Sequence, residues 1–106
     1  MFYVENTINK ITMHEGDFGL ILPIQFPKAA DGDIIKFTIK KQNEENEQIL
    51  DLDFEVTSEM IDFTLSQNDS SKLEIGEYLY DVKQYREGVL ENTIATDCIY
   101  EVIRGA

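Results

Sequence analysis

The chain has 106 residues, with 21 acidic residues against nine Lys and Arg, a formal net charge of −12 and 42% hydrophobic residues. A chain of this length predicts one domain, residues 1–106, and this hydrophobic share predicts a globular protein rather than a disordered one. The acidic excess argues against a nucleic-acid backbone or an anionic membrane surface as the partner, because both bind basic faces.

The sequence also predicts folding in a reducing cytoplasm. The opening residues, Met-Phe-Tyr-Val-Glu, lack the basic start and apolar core of a signal peptide. The longest uncharged apolar stretch, residues 18–26, is about half of what a membrane-spanning helix requires. Cys98 is the single cysteine, so it cannot form an internal disulfide and the core alone must hold the domain together.

The first part of the chain predicts amphipathic strands that alternate with turns. A short strand within residues 6–14 leads to the turn Glu15-Gly16-Asp17, and residues 18–26 then alternate strongly. The face expected to enter the core consists of Phe18, Leu20, Leu22, Ile24 and Phe26. Ile21 and Pro23 fall on the outward face. Because Pro23 cannot donate a ladder hydrogen bond, this strand should lie at a sheet edge or carry a bulge.

Further strands are predicted along the rest of the chain. The turn Asp31-Gly32-Asp33 opens a strand over residues 34–41, and two more follow over 50–56 and 60–65. Residues 68–73 carry polar N-cap candidates and predict one short helical turn. After the next strand, Arg86-Glu-Gly88 predicts a hairpin loop into residues 89–95. Thr96-Asp97 is a candidate interruption before a last strand with Cys98, Tyr100 and Val102 on one face.

Residues 73–85 organise the predicted core. Tyr78, Tyr80 and Val82 alternate with charged residues, as a half-buried strand requires. A Leu-x-x-Gly-x-Tyr-x-Tyr run entering a strand is typical of the tyrosine corner of β-sandwiches, in which a buried phenol donates its OH to the backbone of a connection between sheets. The predicted core residues are Tyr78, Tyr80, Val82, Phe37, Phe54 and Phe63.

The number and spacing of these elements predict an all-β fold. Seven or eight short strands, frequent turn signals and no helical period longer than a single turn indicate an antiparallel β-sandwich. The pattern leaves open which strands share a sheet.

Residues 42–62 carry the strongest charge bias, with eight acidic residues and no Lys or Arg. Asp51, Asp53 and Glu55 follow one strand face at intervals of about 6.5–7 Å, too wide for one cation to bind all three directly. The bias therefore predicts a solvated outer face, with an acidic docking patch and a cation site as the alternatives. The candidate cross-strand partners are Lys36, Lys40 and Lys41.

The sequence predicts no enzyme, metal site or cofactor. His14 is the single histidine and precedes a turn, so a surface position is expected and no zinc set can be completed. Cys98 is expected to be a small core residue. No serine lies in a Gly-x-Ser-x-Gly elbow, and the glycines are scattered singly rather than gathered in a phosphate-binding loop.

A small carbohydrate- or ligand-binding module is the alternative to a purely structural role. Sugars stack on aromatic rings, and the chain has five Tyr but no Trp. Tyr85 falls on the opposite face from Tyr78 and Tyr80 and is the tyrosine most expected to be exposed. A module of this kind would present a concave aromatic cleft and bind glycans as a monomer.

Six turn and core motifs follow one another along nearly the whole chain. They are Glu15-Gly16-Asp17, Gly32-Asp33, the strand Ile35 to Lys41, the run Leu73 to Val82, Thr93-Ile94 and Tyr100-Glu-Val102. Their order resembles the N-terminal domain of the phage baseplate upper protein and its stand-alone phage and prophage relatives. The chain departs from that pattern at Asp97-Cys98, where a Gly-Lys type turn is typical, and in having no long C-terminal extension.

The resemblance implies an immunoglobulin-like, non-enzymatic module of a phage tail or baseplate, made in the bacterial cytoplasm and carried in the virion. The missing extension is typical of a stand-alone accessory piece. Other tail or baseplate proteins are the implied partners, with a homo-oligomer as one form of assembly. Large apolar side chains on outer strand faces are expected at the interface. The candidates are Ile21, Pro23, Ile34 and Leu79.

Overall fold

The computed structural model describes residues 2–5, 10–25, 30–42, 47–57 and 60–105, and this part of the chain is all-β with one short helix. The elements in chain order are β1 (Phe2–Glu5), β2 (Lys10–His14), β3 (Gly19–Gln25), β4 (Ile34–Lys41), β5 (Gln48–Glu55), β6 (Met60–Leu65), α1 (Gln67–Ser70), β7 (Gly76–Arg86) and β8 (Val89–Ile103). The described residues contain no helix that is long and apolar enough to cross a membrane.

The strands form two sheets. A six-stranded main sheet has the order β1-β2-β8-β7-β4-β5, and β3 pairs with β6 in a separate two-stranded sheet. All pairs are antiparallel except β2 with β8, which run parallel with Ile11 opposite Tyr100. The purely antiparallel prediction is therefore wrong, and the main sheet is mixed. Side-chain alternation has the same period in both pairings, so it carries no information on strand direction.

Aromatic side chains join the two sheets in one core. The ring of Phe63 on β6 lies 5.3 Å from that of Phe37 on β4 and 5.1 Å from that of Phe54 on β5. Phe37 in turn stacks on Tyr80 at 5.2 Å. Of the six predicted core residues, Phe37, Phe63, Tyr78, Tyr80 and Val82 are buried, and Phe54 is half-buried and packs against them.

The structure corrects the predicted facing of strand β3. Phe18 and Leu20, expected in the core, are 57% and 52% exposed, whereas Ile21, expected on the outward face, is 6% exposed. The cause is a bulge, because Leu20 pairs with Thr64 while Leu22 already pairs with Phe63. One extra residue shifts the alternation, so Ile21 enters the core and is not an interface residue.

The connection from β6 to β7 contains the predicted helical turn and the corner contact. Ser66 caps α1, its side chain accepting a hydrogen bond from the N–H of Asp69 at 3.1 Å. Tyr78 is buried, and its OH donates to the carbonyl of Glu74 at 2.9 Å. Because β6 and β7 belong to different sheets, this bond fixes the crossing between them, as the tyrosine-corner prediction requires.

Strands β7 and β8 form a hairpin with a two-residue turn, Glu87-Gly88, and both residues have positive φ, 52° and 80°. The predicted interruption at Thr96-Asp97 is a bulge within a single 15-residue strand, where Asp97 has a φ of 51°. Three register shifts separate β8 from β7 along this hairpin. They irregularise the outer edge of β8 over its first half, which discourages pairing with a further strand.

Candidate protein-contact surface

The side of the main sheet that faces away from the core is the surface considered for function, and we call it the outer face. Ile35, Phe37 and Ile39 point into the core, so the alternate residues of β4 point outward. Residues directly opposite one another on neighbouring strands project to the same side. The register therefore arranges the outer face in rows that cross β5, β4, β7 and β8.

Two rows place apolar side chains outside the core. The row nearest the β7–β8 hairpin contains, from β5 to β8, Glu55, Ile34, Tyr85 and Leu90. Ile34 and Tyr85 are half-buried, and Leu90 is 48% exposed. At the other end, Leu79 and Ile99 are paired and half-buried.

The four predicted interface residues therefore separate. Ile34 and Leu79 lie on the outer face, and Ile21 belongs to the core. The side chain of Pro23 lies outside the described part of the structure. Sequence reasoning missed Leu90 as a member of this surface, although the Gly-containing hairpin signal fixes its pairing with Tyr85 once the turn is known to contain two residues.

A ladder of ion pairs crosses the outer face between β4 and β5. Lys36 Nζ lies 3.2 Å from Asp51 Oδ2 and 3.4 Å from Asp53 Oδ1, and Thr38 Oγ1 donates to Asp51 Oδ1 at 3.2 Å. The hydrogen bond to Asp51 raises the pKa of Lys36 above its ordinary value. Lys41 lies 3.8 Å from Glu47. The predicted cross-strand pairing thus holds for two of the three lysines.

The third lysine turns toward β7 and secures the bulge in β8. Lys40 Nζ lies 3.1 Å from Asp81 Oδ2 and 2.8 Å from Asp97 Oδ1. Asp81 also accepts the backbone N–H of Asp97 at 2.7 Å and Thr96 Oγ1 at 3.2 Å. Burial alone would raise the pKa of Asp81, but the bonds from Asp97 N–H and Lys40 outweigh it and lower the pKa. This network holds Asp97 in its left-handed conformation.

Lys83 stands apart from these ladders. It is half-buried in the row between Tyr85 and Asp81, and its partner on β4 is Lys36, a residue of the same charge. Lys36 is already bound to aspartates, and no ion pair of Lys83 occurs within the described ranges. Like charges opposite one another are unfavourable in a sheet. The face therefore presents a cation beside an apolar row.

A second candidate site lies on the core-facing side of the sheet at the hairpin end. Asp33, 2% exposed, accepts hydrogen bonds from Arg86, from Gln84 Nε2 at 2.9 Å and from the N–H of Ala30 at 3.0 Å. Beside this cluster is a cleft of about 320 Å³. Its lining residues are Gln84, Arg86, Glu91 and Asn92.

The remaining sequence candidates do not assemble into a site. His14 is half-buried, with Nδ1 3.8 Å from Asp17, and Cys98 packs at the margin of the core, its thiol donating to the Thr96 carbonyl at 3.6 Å. Tyr78 and Tyr80 are buried, so neither can stack on a sugar. Over the described residues, no group of three or more His, Cys, Asp or Glu side chains is placed to hold a metal ion.

The outer face and the cleft are thus the two surfaces from which function can be argued. The outer face combines apolar rows with charges arranged in register, whereas the cleft is lined by polar and charged side chains. Comparison of the chain with family models, with curated proteins and with solved structures finds no match in any of the three.

Proposed function

We propose that this protein is a non-enzymatic assembly module that acts through protein–protein contacts made by the outer face of the main sheet. The observation that carries the proposal is the hairpin-end row, in which Ile34, Tyr85 and Leu90 lie side by side outside the core. Large apolar side chains opposite a core are typical of a contact surface. Lys83 beside them supplies a charge that a partner can meet.

We propose further that the fold is an immunoglobulin-like sandwich. In such domains one sheet contains strands C, F and G, extended by C′ in the variable type, and the other contains B and E. The order β8-β7-β4-β5 corresponds to G-F-C-C′, and the pair β3-β6 corresponds to B-E. Tyr78, near the start of β7, takes the position of the corner tyrosine at the start of strand F.

The setting that we propose is a phage tail or baseplate, with synthesis in the bacterial cytoplasm, other tail or baseplate proteins as partners, and the virion as the final location. The support is the resemblance in motif order. Three of its motifs coincide with structural devices: the turn before β3, the Gly32-Asp33 turn before β4, and the tyrosine corner before β7. A module defined by such turns and core contacts needs no catalytic group.

The test is whether the chain travels with the particle. We expect its peptides in gradient-purified particles of the phage or induced prophage that encodes it, at a fixed ratio to the major tail proteins by mass spectrometry. An abundant host cytoplasmic protein is the control for trapping. A chain that is present in the lysate but depleted from the particles to the level of this control would overturn the proposal.

A ligand-binding module is the second candidate, and the cleft beside Arg86 is the observation that favours it. Its lining combines a guanidinium, two amides and a carboxylate, groups that hydrogen-bond hydroxyl-rich ligands. Binding of the monomeric protein to a glycan array, abolished by Asn92→Ala, would support this candidate. Equal signals from the wild type and Asn92→Ala would remove the cleft as the site.

A further inference from the structure

We infer that the outer face of the main sheet is self-complementary and that two copies of this chain associate through it about a twofold axis parallel to β4. The inference deepens the proposed function, on which it rests, by naming the first contact of the assembly. It predicts a symmetric dimer in which strand β7 of each copy lies over strand β5 of the other.

The register of the sheet supplies the geometry. Strands β5 and β7 flank β4 on opposite sides, so a rotation of 180° about an axis along β4 exchanges their positions. Residues in one row remain in one row under this rotation. Lys83 of one copy therefore faces Asp53 of the second copy, because both are in register with Lys36.

The same rotation aligns the hairpin-end row. Ile34 meets Ile34 of the second copy on the axis, and Tyr85 faces Glu55 of the second copy. The result is an apolar centre flanked by two symmetry-related groups of polar contacts. Such an arrangement is typical of an isologous interface.

The charges of the monomer leave these contacts available. The donors on β7, Lys83 and the Tyr85 hydroxyl, have no hydrogen-bond or ion-pair partner within the described part of the chain. On β5, Glu55 is exposed, and the Asp53 side chain is 56% exposed although it lies 3.4 Å from Lys36. Asp51 remains on Lys36 when Asp53 turns to the second copy, so Lys36 keeps a counter-charge near the axis.

A second copy therefore fits this face better than an arbitrary partner does, because donors and acceptors lie at equal distances on either side of one strand. The area is also adequate. Four strands of about eight residues, spaced by about 4.8 Å, cover roughly 500 Å² in plan. This is of the same order as the ~800 Å² of accessible surface that each partner buries in a specific complex.

The test is sedimentation equilibrium of the purified chain and of charge-reversed variants at pH 7 in moderate salt. We expect a concentration-dependent monomer–dimer equilibrium for the wild type. Lys83→Glu and Asp53→Lys should each weaken the dimer by at least about tenfold, because each dimer contains the contact twice. The matched controls are Arg104→Glu and Asp62→Lys, which make the same charge changes at exposed positions away from the outer face.

The decisive measurement mixes the two variants. A dimer of one Lys83→Glu chain and one Asp53→Lys chain has opposite charges at both contacts, so we expect mixing to restore dimerisation to within about threefold of the wild type. Circular dichroism of each variant establishes that it is folded. A wild type that stays monomeric at about 100 μM, or a mixture no more dimeric than its components, would overturn the inference.

The outcome is separable from that of the proposed function. A monomer in solution that is nevertheless a stoichiometric part of the particle contradicts the self-contact and leaves the assembly role intact. A dimer that obeys the charge swap but is depleted from the particle contradicts the assembly role and leaves the interface intact.

Discussion

Arg86 binds Asp33 through two parallel hydrogen bonds, Nε to Oδ1 and Nη2 to Oδ2, each 3.0 Å long. The two residues stand 53 positions apart, one at the turn before β4 and the other at the end of β7. Bidentate contacts of this kind fix geometry as well as charge. The pair therefore ties the entry of the central strand β4 to the hairpin that carries the apolar row of the outer face.

This contact predicts acid sensitivity. The Arg86 hydrogen bond is the main reason why the pKa of Asp33 lies well below its ordinary value. A carboxyl whose pKa is lower in the folded state than in the unfolded state stabilises the fold above the unfolded value of about 4, and this contribution is lost as the pH falls from there toward the folded value. We expect the free energy of unfolding, measured by urea titration, to fall progressively below about pH 4.

Asp33→Asn isolates the contribution of this one carboxyl. The variant should be less stable than the wild type at pH 6, with the difference shrinking as the pH falls below about 4, because both proteins then lack the charge. Asp62→Asn makes the same chemical change at an exposed position of β6 and should alter stability less at pH 6. A constant difference between Asp33→Asn and the wild type from pH 6 to pH 3 would contradict the assigned role.

The corner hydrogen bond has its own test in Tyr78→Phe. The ring stays in the core, and only the bond from the hydroxyl to the Glu74 carbonyl is lost. We expect a loss of about 1 kcal/mol in the free energy of unfolding, or a fall of about 4–8 °C in Tm. Tyr85→Phe removes a hydroxyl from the half-buried outer face and should change the stability of the monomer by less than about 0.5 kcal/mol. Equal effects of the two changes would remove the corner assignment.

The elements that the sequence predicts well are those set by local chemistry. Gly16 and Gly32 adopt positive φ in turns where glycine is favoured, and Gly88 closes the hairpin. The Tyr78 contact also spans only four residues. Alternation of apolar and polar residues then assigns β4 and β5 to the correct faces, because neither strand contains a bulge within its paired central rows.

The features that could not be predicted depend on register or on distant partners. The bulge between Leu20 and Leu22 reverses the facing of Ile21, and no residue in β3 identifies it except Pro23, three positions after Leu20. The parallel pairing of β2 with β8 joins segments about 90 residues apart, which alternation cannot detect. The position of Lys83 opposite Lys36 likewise emerges only from the register between β4 and β7.

The contact between the two sheets depends on Phe63, and its truncation is the strongest stability prediction. Phe63 is fully buried against Phe37 and Phe54, so Phe63→Ala should lower the free energy of unfolding by about 3–5 kcal/mol. Phe18→Ala removes the same ring from a position that is 57% exposed. We expect that control to change stability by less than about 0.5 kcal/mol in chemical denaturation. A large loss in Phe18→Ala would mean that Phe18 is covered in solution.

The hairpin turn offers a change that should stabilise the protein. Glu87 has a φ of 52°, a left-handed conformation that is unfavourable for most side chains but well tolerated by Asn, and Gly88 follows it with a φ of 80°. Asn-Gly is the preferred pair for a two-residue turn of this type. Glu87→Asn should therefore raise the free energy of unfolding by about 0.5–1 kcal/mol.

Gly88→Ala tests the same turn in the opposite direction. No atom lies within 4 Å of the position that a Cβ would take, so the cost of this change is conformational and not a clash. We expect a loss of about 1 kcal/mol, because alanine disfavours the positive φ that the turn requires. If Glu87→Asn and Gly88→Ala both left chemical denaturation unchanged, the turn would not hold this conformation, and the pairing of Tyr85 with Leu90 that it sets would lose its basis.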